Sequence, residues 1–158
     1  TMSKKNPDPL NLKEFLPYRF SIVTNKISRN LSNMYADKFG LSIAEWRVMA
    51  VLGQHQDLSA DQVCVETEMD KVSVSRVVTK LLKKKHICRK FSDQDRRRSM
   101  LQLSSSGYAV YTQIVPIALR FEAELIDVLS KQEQKQLNSF LDKLNECAKK
   151  LSENIQWH

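Results

Sequence analysis

Residues 70–104 read DKVSVSRVVTKLLKKKHICRKFSDQDRRRSMLQLS, and two different periodicities meet in that stretch. Val74, Val77, Val78, Leu81 and Leu82 recur every three to four residues, which places them on one side of a helix that Asp70 can cap. Lys71, Ser73, Arg76, Thr79, Lys80 and Lys83 fall on the other side. Short hydroxyls and long cations on one outward face suit a major groove, where the first reach base edges and the second reach phosphates. After this helix the period drops to two. Ile87, Arg89 and Phe91 alternate with Cys88 and Lys90, and Leu101 and Leu103 alternate with Met100 and Gln102. Alternation on both sides of a polar segment predicts an antiparallel hairpin. Residues 92–98 contain no Gly, so the connection reads as a long loop rather than a two-residue turn.

Charge singles out the same stretch. From Lys71 to Arg98 eleven Lys and Arg face only Asp93 and Asp95, an excess of nine in a chain whose total is +7, so the remainder stands at −2. A cationic block of this size is the footprint of a polyanion partner, because each neutralised phosphate releases counterions.

Working outward, helix starts are marked by Asn or Ser followed three residues later by Glu or Gln, a pair able to satisfy two orphan backbone donors. Asn11 with Glu14, Ser42 with Glu45, Ser59 with Gln62 and Ser130 with Glu133 all fit. In the first predicted helix Leu16, Phe20, Val23, Ile27, Leu31 and Met34 share a face, and Gly40 offers a left-handed stop. A second helix spans about 43–55, and a short third follows Ser59. Beyond Ser105 the helical period returns, with Tyr108, Tyr111, Val115, Phe121, Leu125 and Val128 on a helix bent at Pro116, and Leu137, Phe140, Leu141, Leu144, Cys147, Ala148 and Leu151 on the last.

The chain has 158 residues, 42% of them hydrophobic, three Gly and four Pro, which is enough for one core and points to a mostly α protein. The opening TMSKKNPDP lacks the apolar core of a secretory signal, and no apolar run approaches a membrane span, so a cytoplasmic protein is expected. The expected organisation is a disordered arm over 1–10, a helical region over 11–40 and 105–158, and a reader lobe over 41–104. The outer helices hold more apolar surface than a reader of about 65 residues can cover, which implies a homodimer.

Helix, helix, recognition helix and basic hairpin wing together make a winged helix-turn-helix. The wing tip Asp95-Arg96-Arg97-Arg98-Ser99-Met100-Leu101-Gln102-Leu103-Ser104, followed by Gly107, resembles the D-R-R-x-x-x-L-x-L-T-x-x-G signature of MarR-family transcriptional regulators. Leu58-Ser59, Met69-Asp70-Lys71, Ser75-Arg76 and Leu81 extend the resemblance, which covers about residues 11–152. It implies a dimer on a pseudo-palindromic duplex, with recognition helices in successive major grooves and a wing Arg in the flanking minor groove. Carried over, Ser73, Ser75 and Arg76 face bases or nearby phosphates, flanked by Lys71 and Lys80. Arg97 enters the minor groove with Asp95 holding it, a role that Arg96 and Arg98 can share. Lys85 and Glu68 stand where the family often has Gly.

The resemblance also implies an effector, a small lipophilic or aromatic anion bound between the helical frame and the reader. Arg19, Ile22, Lys26, Trp46, Met49, Tyr108 and Tyr111 are the candidate lining, with cations for a carboxylate and rings for a ring. A Trp and a Met at helical spacing serve a plain core equally well.

Other classes find less in the sequence. Cys64 and Cys147 fall on apolar faces and are expected to be buried and inert, which counts against a thiol-based redox-sensing regulator. His55, His86 and His158 show no metal-ligand spacing, no cofactor motif is present, and no nucleophile and base can be assembled into an enzyme. A sequence-indifferent architectural protein on nucleic acid is the remaining alternative. It would bind with steep salt dependence but without preference between duplexes.

Overall fold

The computed structural model describes residues 8–91, 93–94 and 98–154. Six helices and one hairpin follow in order: α1 (Leu16–Phe39), α2 (Ile43–Gln54), α3 (Ala60–Thr67), α4 (Lys71–Lys83), β1 (Ile87–Phe91), β2 (Ser99–Leu103), α5 (Ser105–Ile126) and α6 (Lys131–Asn154). The mostly α winged helix-turn-helix expected from the sequence is the observed fold. The chain divides into two compact units at Ile117/Ala118, and of the arm assigned to residues 1–10, residues 1–7 lie outside the described residues.

Three of the four predicted capping pairs form. Ser42 Oγ accepts the Glu45 amide at 3.1 Å while Glu45 Oε2 accepts the Ser42 amide at 2.9 Å. Ser59 and Gln62 repeat the arrangement at 3.1 and 2.8 Å, as do Ser130 and Glu133 at 3.2 and 2.7 Å. Asn11 does not start α1. Its side chain accepts the Lys13 amide at 3.2 Å and its carbonyl accepts the Glu14 and Phe15 amides, closing a turn, and the helix begins at Leu16. The reason is Pro17. Inside a helix begun at Asn11 its ring would clash with the carbonyl four residues back, whereas in the first turn its missing N–H costs nothing.

The larger unit closes a core from every element of the reader. Val48, Met49 and Leu52 of α2, Val63 of α3, Val74, Val78 and Leu81 of α4, and Ile87 and Leu101 of the hairpin are buried together with Tyr35, Leu41 and Ile114. The strands pair antiparallel in the register Ile87 with Leu103, Arg89 with Leu101 and Phe91 with Ser99. Leu58, in the α2–α3 connection, adds a two-way backbone bridge to Leu101, with N–H to O distances of 3.1 and 2.7 Å. The wing is thereby anchored on both sides of β2.

The base of the wing is sealed by Ser104 and Gly107. The Ser104 hydroxyl donates to the Lys85 carbonyl at 2.6 Å and accepts the Gly107 amide at 3.0 Å, while the Ser104 amide donates to the His86 carbonyl at 3.0 Å. A Cβ on Gly107 would run into that same His86 carbonyl, so only Gly lets α5 start this close to the wing.

Within the smaller unit, α6 buries none of its residues: Leu137, Phe140, Leu141, Leu144 and Leu151 are exposed along one helical stripe. Cys147 on the same helix is exposed as well, correcting the expectation that it is buried, and Cys64 is only half-buried. An apolar face predicts burial only where something packs on it, and among the described residues this one stays exposed. No helix among the described residues is long and apolar enough to cross a membrane.

Candidate nucleic-acid interface

The outward face of α4 is built from the N-cap upward. Asp70 Oδ1 accepts the Ser73 amide at 2.8 Å and Oδ2 accepts the Ser73 hydroxyl at 2.7 Å. These hydrogen bonds favour the ionised form and hold the Asp70 carboxyl below its ordinary value. The cap fixes where the helix begins and therefore which side chains face out. With Val74, Val77, Val78 and Leu81 closed into the core, Ser75, Arg76 and Lys80 stand exposed on the opposite side.

The residues assigned to DNA from the sequence can be placed except at 95–97. Lys71 is exposed and lies 3.6 Å from Asp61, a solvated surface pair. The Ser73 hydroxyl is occupied by its cap. Arg98 is exposed just before β2 and borders a cleft with Ser59, Asp61, Gln62 and Met100. Asp95, Arg96 and Arg97 lie outside the described residues. Arg89 donates to the Ser99 hydroxyl at 3.2 Å, tying the two strands where the loop begins.

Two features of this face escaped the sequence reading. Lys84, one of three consecutive lysines that look equally solvated, reaches the buried Glu45 carboxylate at 2.9 and 3.0 Å and the Gly40 carbonyl at 2.7 Å. One ammonium thus joins the end of α1, the start of α2 and the end of α4. No local pattern announces a pair separated by 39 positions. Val72 is the other: it sits on the outward side of α4, although its residue type had no place in the cationic pattern.

The residues assigned to an effector separate into groups. Trp46 stacks on Tyr111, with ring centroids 5.9 Å apart and planes 28° apart, and Tyr111 meets Tyr108 at 6.1 Å. Gly53 makes room for this, since a Cβ there would enter the Tyr111 ring. Met49 is fully enclosed in the core, and Arg19, Ile22 and Lys26 are exposed on α1. A cleft of about 360 Å³ opens beside these rings, lined by Leu52, Gly53, Gln56, Gln102, Leu103, Ser104, Ser105 and Tyr108. Only Tyr108 of that lining was among the sequence candidates. The polar residues come from the ends of α2 and β2 and the start of α5, brought together by strand pairing that their sequence spacing does not encode.

Comparison with known proteins agrees with this geometry. A profile described as MarR family matches residues 39–98. The chain is 28% identical over 131 residues to the Bacillus subtilis HTH-type transcriptional regulator MhqR, covering 81% of this chain and 90% of the relative. Among solved structures, a MarR/EmrR family transcriptional regulator from Acinetobacter sp. ADP1 superposes with a TM-score of 0.83 at 28% identity, covering 89% of this chain and 99% of that one. The Bordetella bronchiseptica regulator BpsR, whose DNA binding is regulated by 6-hydroxynicotinic acid, shares the fold with a TM-score of 0.77 at 20% identity over 87% and 97% of the two chains.

Proposed function

Because the chain belongs to the MarR family of DNA-binding transcriptional regulators, a family of regulators rather than enzymes, we propose that it is a homodimeric repressor which a small aromatic carboxylate or phenolic compound releases from a pseudo-palindromic operator. The observation that carries the reading is the two-sidedness of α4: its valines lock into the core while Ser75, Arg76 and Lys80 project into solvent. A helix so held is pre-oriented to enter a major groove without rearrangement.

The dimer reading is supported by apolar surface left exposed among the described residues. Leu16, Phe20 and Val23 on α1 are exposed, as is the apolar stripe of α6, and exposed apolar stripes of this kind are what a symmetric partner buries. The wing supplies the minor-groove contact through Arg97, a role taken from the D-R-R signature.

For the effector, the stacked Trp46, Tyr111 and Tyr108 beside a cleft rimmed by Gln56, Gln102, Ser104 and Ser105 offer rings for an aromatic ligand and hydrogen-bonding groups for its carboxyl or hydroxyl. The ligand of BpsR, a hydroxylated aromatic acid, belongs to the same chemical class. Half-sites one helical turn apart require recognition helices about 34 Å apart. A ligand favouring another separation with a coupling of about 1–3 kcal/mol lowers operator affinity roughly 5- to 150-fold.

The test is a panel of hydroxylated aromatic acids read by thermal melting and by mobility shift on duplexes selected from a random library. Active compounds raise the melting temperature and release the DNA in that range. A panel that moves neither quantity rejects the effector reading. Binding that prefers selected duplexes over scrambled ones by less than about 10³-fold favours the architectural alternative instead.

A further inference from the structure

We propose that Val72 reads the C5-methyl group of a thymine in the major groove, which makes it a specificity-determining residue beside Arg76. The proposal rests on the DNA-binding reading of α4 and adds the class of base that its first turn selects.

Val72 is 61% exposed, whereas the other valines of α4, Val74, Val77 and Val78, are 1%, 7% and 3% exposed. It lies in the first turn of α4, at the head of an exposed stripe. Val72, Arg76, Thr79 and Lys83 follow one another at i, i+4, i+7 and i+11, the spacing of a single helical stripe, and all four are exposed. On the surface of a helix an unbranched or charged residue is the favoured choice. A β-branched apolar side chain there loses rotamer freedom and gains no burial in the free protein.

Two neighbouring hydroxyls are held within the helix, and the nearest lysine sits in a solvated surface pair. The Ser73 hydroxyl donates to Asp70, the Thr79 hydroxyl donates to the Ser75 carbonyl at 2.9 Å, and Lys71 faces Asp61. What the first turn offers a base edge is therefore an apolar surface. The thymine methyl is the apolar feature that unmodified base pairs present in the major groove, so a valine at this point discriminates thymine from the other bases by contact. Val72 and Arg76 lie about 6 Å apart along the helix axis, which sets the thymine within about two base pairs of the base or phosphate that Arg76 contacts.

The experiment starts from duplexes selected from a random library by the full-length chain. Each thymine of a selected duplex is replaced singly by deoxyuridine, which removes the methyl and nothing else, and affinity is measured for the native chain, Val72→Ala and Val72→Thr. At one thymine per half-site the native chain is expected to lose about fourfold, the effect of one buried methyl. Val72→Ala binds the thymine duplex about fourfold more weakly and no longer distinguishes thymine from deoxyuridine at that position. Val72→Thr, which keeps one methyl, retains part of the discrimination. Equal methyl sensitivity in the native chain and Val72→Ala at every thymine overturns the assignment of Val72 while leaving DNA binding intact. A library from which no duplex is enriched overturns the DNA reading itself, and this inference with it.

Discussion

Lys84 and Glu45 show how much a single contact can decide. The Glu45 side chain is 4% exposed and its two oxygens are shared among the Ser42 amide and the Lys84 ammonium. Removing the ammonium strands a buried carboxylate, a loss that reaches about 3–5 kcal/mol for fully buried pairs. Lys84 is itself 37% exposed, and water entering beside Glu45 recovers part of that, so Lys84→Met should cost about 1–3 kcal/mol in denaturant unfolding. The neighbouring Lys83→Met, on the solvent side of α4, should change stability by less than about 0.5 kcal/mol. Equal effects for the two would remove the structural role given to Lys84. Gly107→Ala is the second residue-scale case: its Cβ meets the His86 carbonyl, so backbone must shift, and a loss of about 2–4 kcal/mol is expected with the wing loosened. The sequence displayed Gly107 as the end of a signature and Lys84 as one of three lysines. Neither the backbone approach behind the first nor the long-range partner behind the second is written in local spacing.

At the scale of elements, local chemistry was largely legible. Ser42, Ser59, Asp70 and Ser130 cap the helices their spacing predicts, and Gly40 ends α1 at a φ of 63°. The hairpin forms over 87–91 and 99–103 as read, but of its alternating apolar residues only Ile87 and Leu101 are buried. Asn11 misled because Pro17, six residues on, outranks a capping pattern. The Leu58 bridge to β2 was invisible because one residue makes no periodicity. Glu68 and Lys85, which replace frequent glycines of the family, hold φ of 53° and 61° and so adopt the left-handed turn without glycine's freedom. Relief of that strain is opposed by the greater freedom of the unfolded chain, so Glu68→Gly should leave stability level or raise it by up to about 1 kcal/mol, whereas Glu68→Val should lower it by about 1–2 kcal/mol in thermal melts. The cap of α4 carries a pH dependence. Hydrogen bonds lower the native Asp70 pKa below its usual value near 3.8, so its contribution is present above that value and is lost as pH falls through the lowered one. Asp70→Asn keeps a cap without the charge, and its stability difference from the native chain should shrink as acid is added; a constant difference would show that ionisation of Asp70 is not what the cap uses.

At the scale of the whole molecule, the reader closes its core with help from Tyr35 of α1 and Ile114 of α5, whereas α6 buries none of its residues. The core draws on α2, α3, α4 and the hairpin, while α6 leaves its apolar stripe in solvent. That imbalance is what the expectation of a homodimer rests on, and no local motif marks the interface. In the proposed dimer two copies, each presenting Arg76 on α4, would meet an operator with two related halves, and their separation is what the proposed effector would alter. Sedimentation should give twice the chain's 18.3 kDa at micromolar concentration. The most direct test counts protomers and spacing together, by measuring stoichiometry and hydroxyl-radical footprint on the tightest duplex selected from a random library. Two protomers per duplex are expected, with protected half-sites centred about 10 base pairs apart and affinity abolished when five base pairs are inserted between them. One protomer per duplex, or affinity indifferent to the insertion, would contradict the paired placement of α4 in successive major grooves.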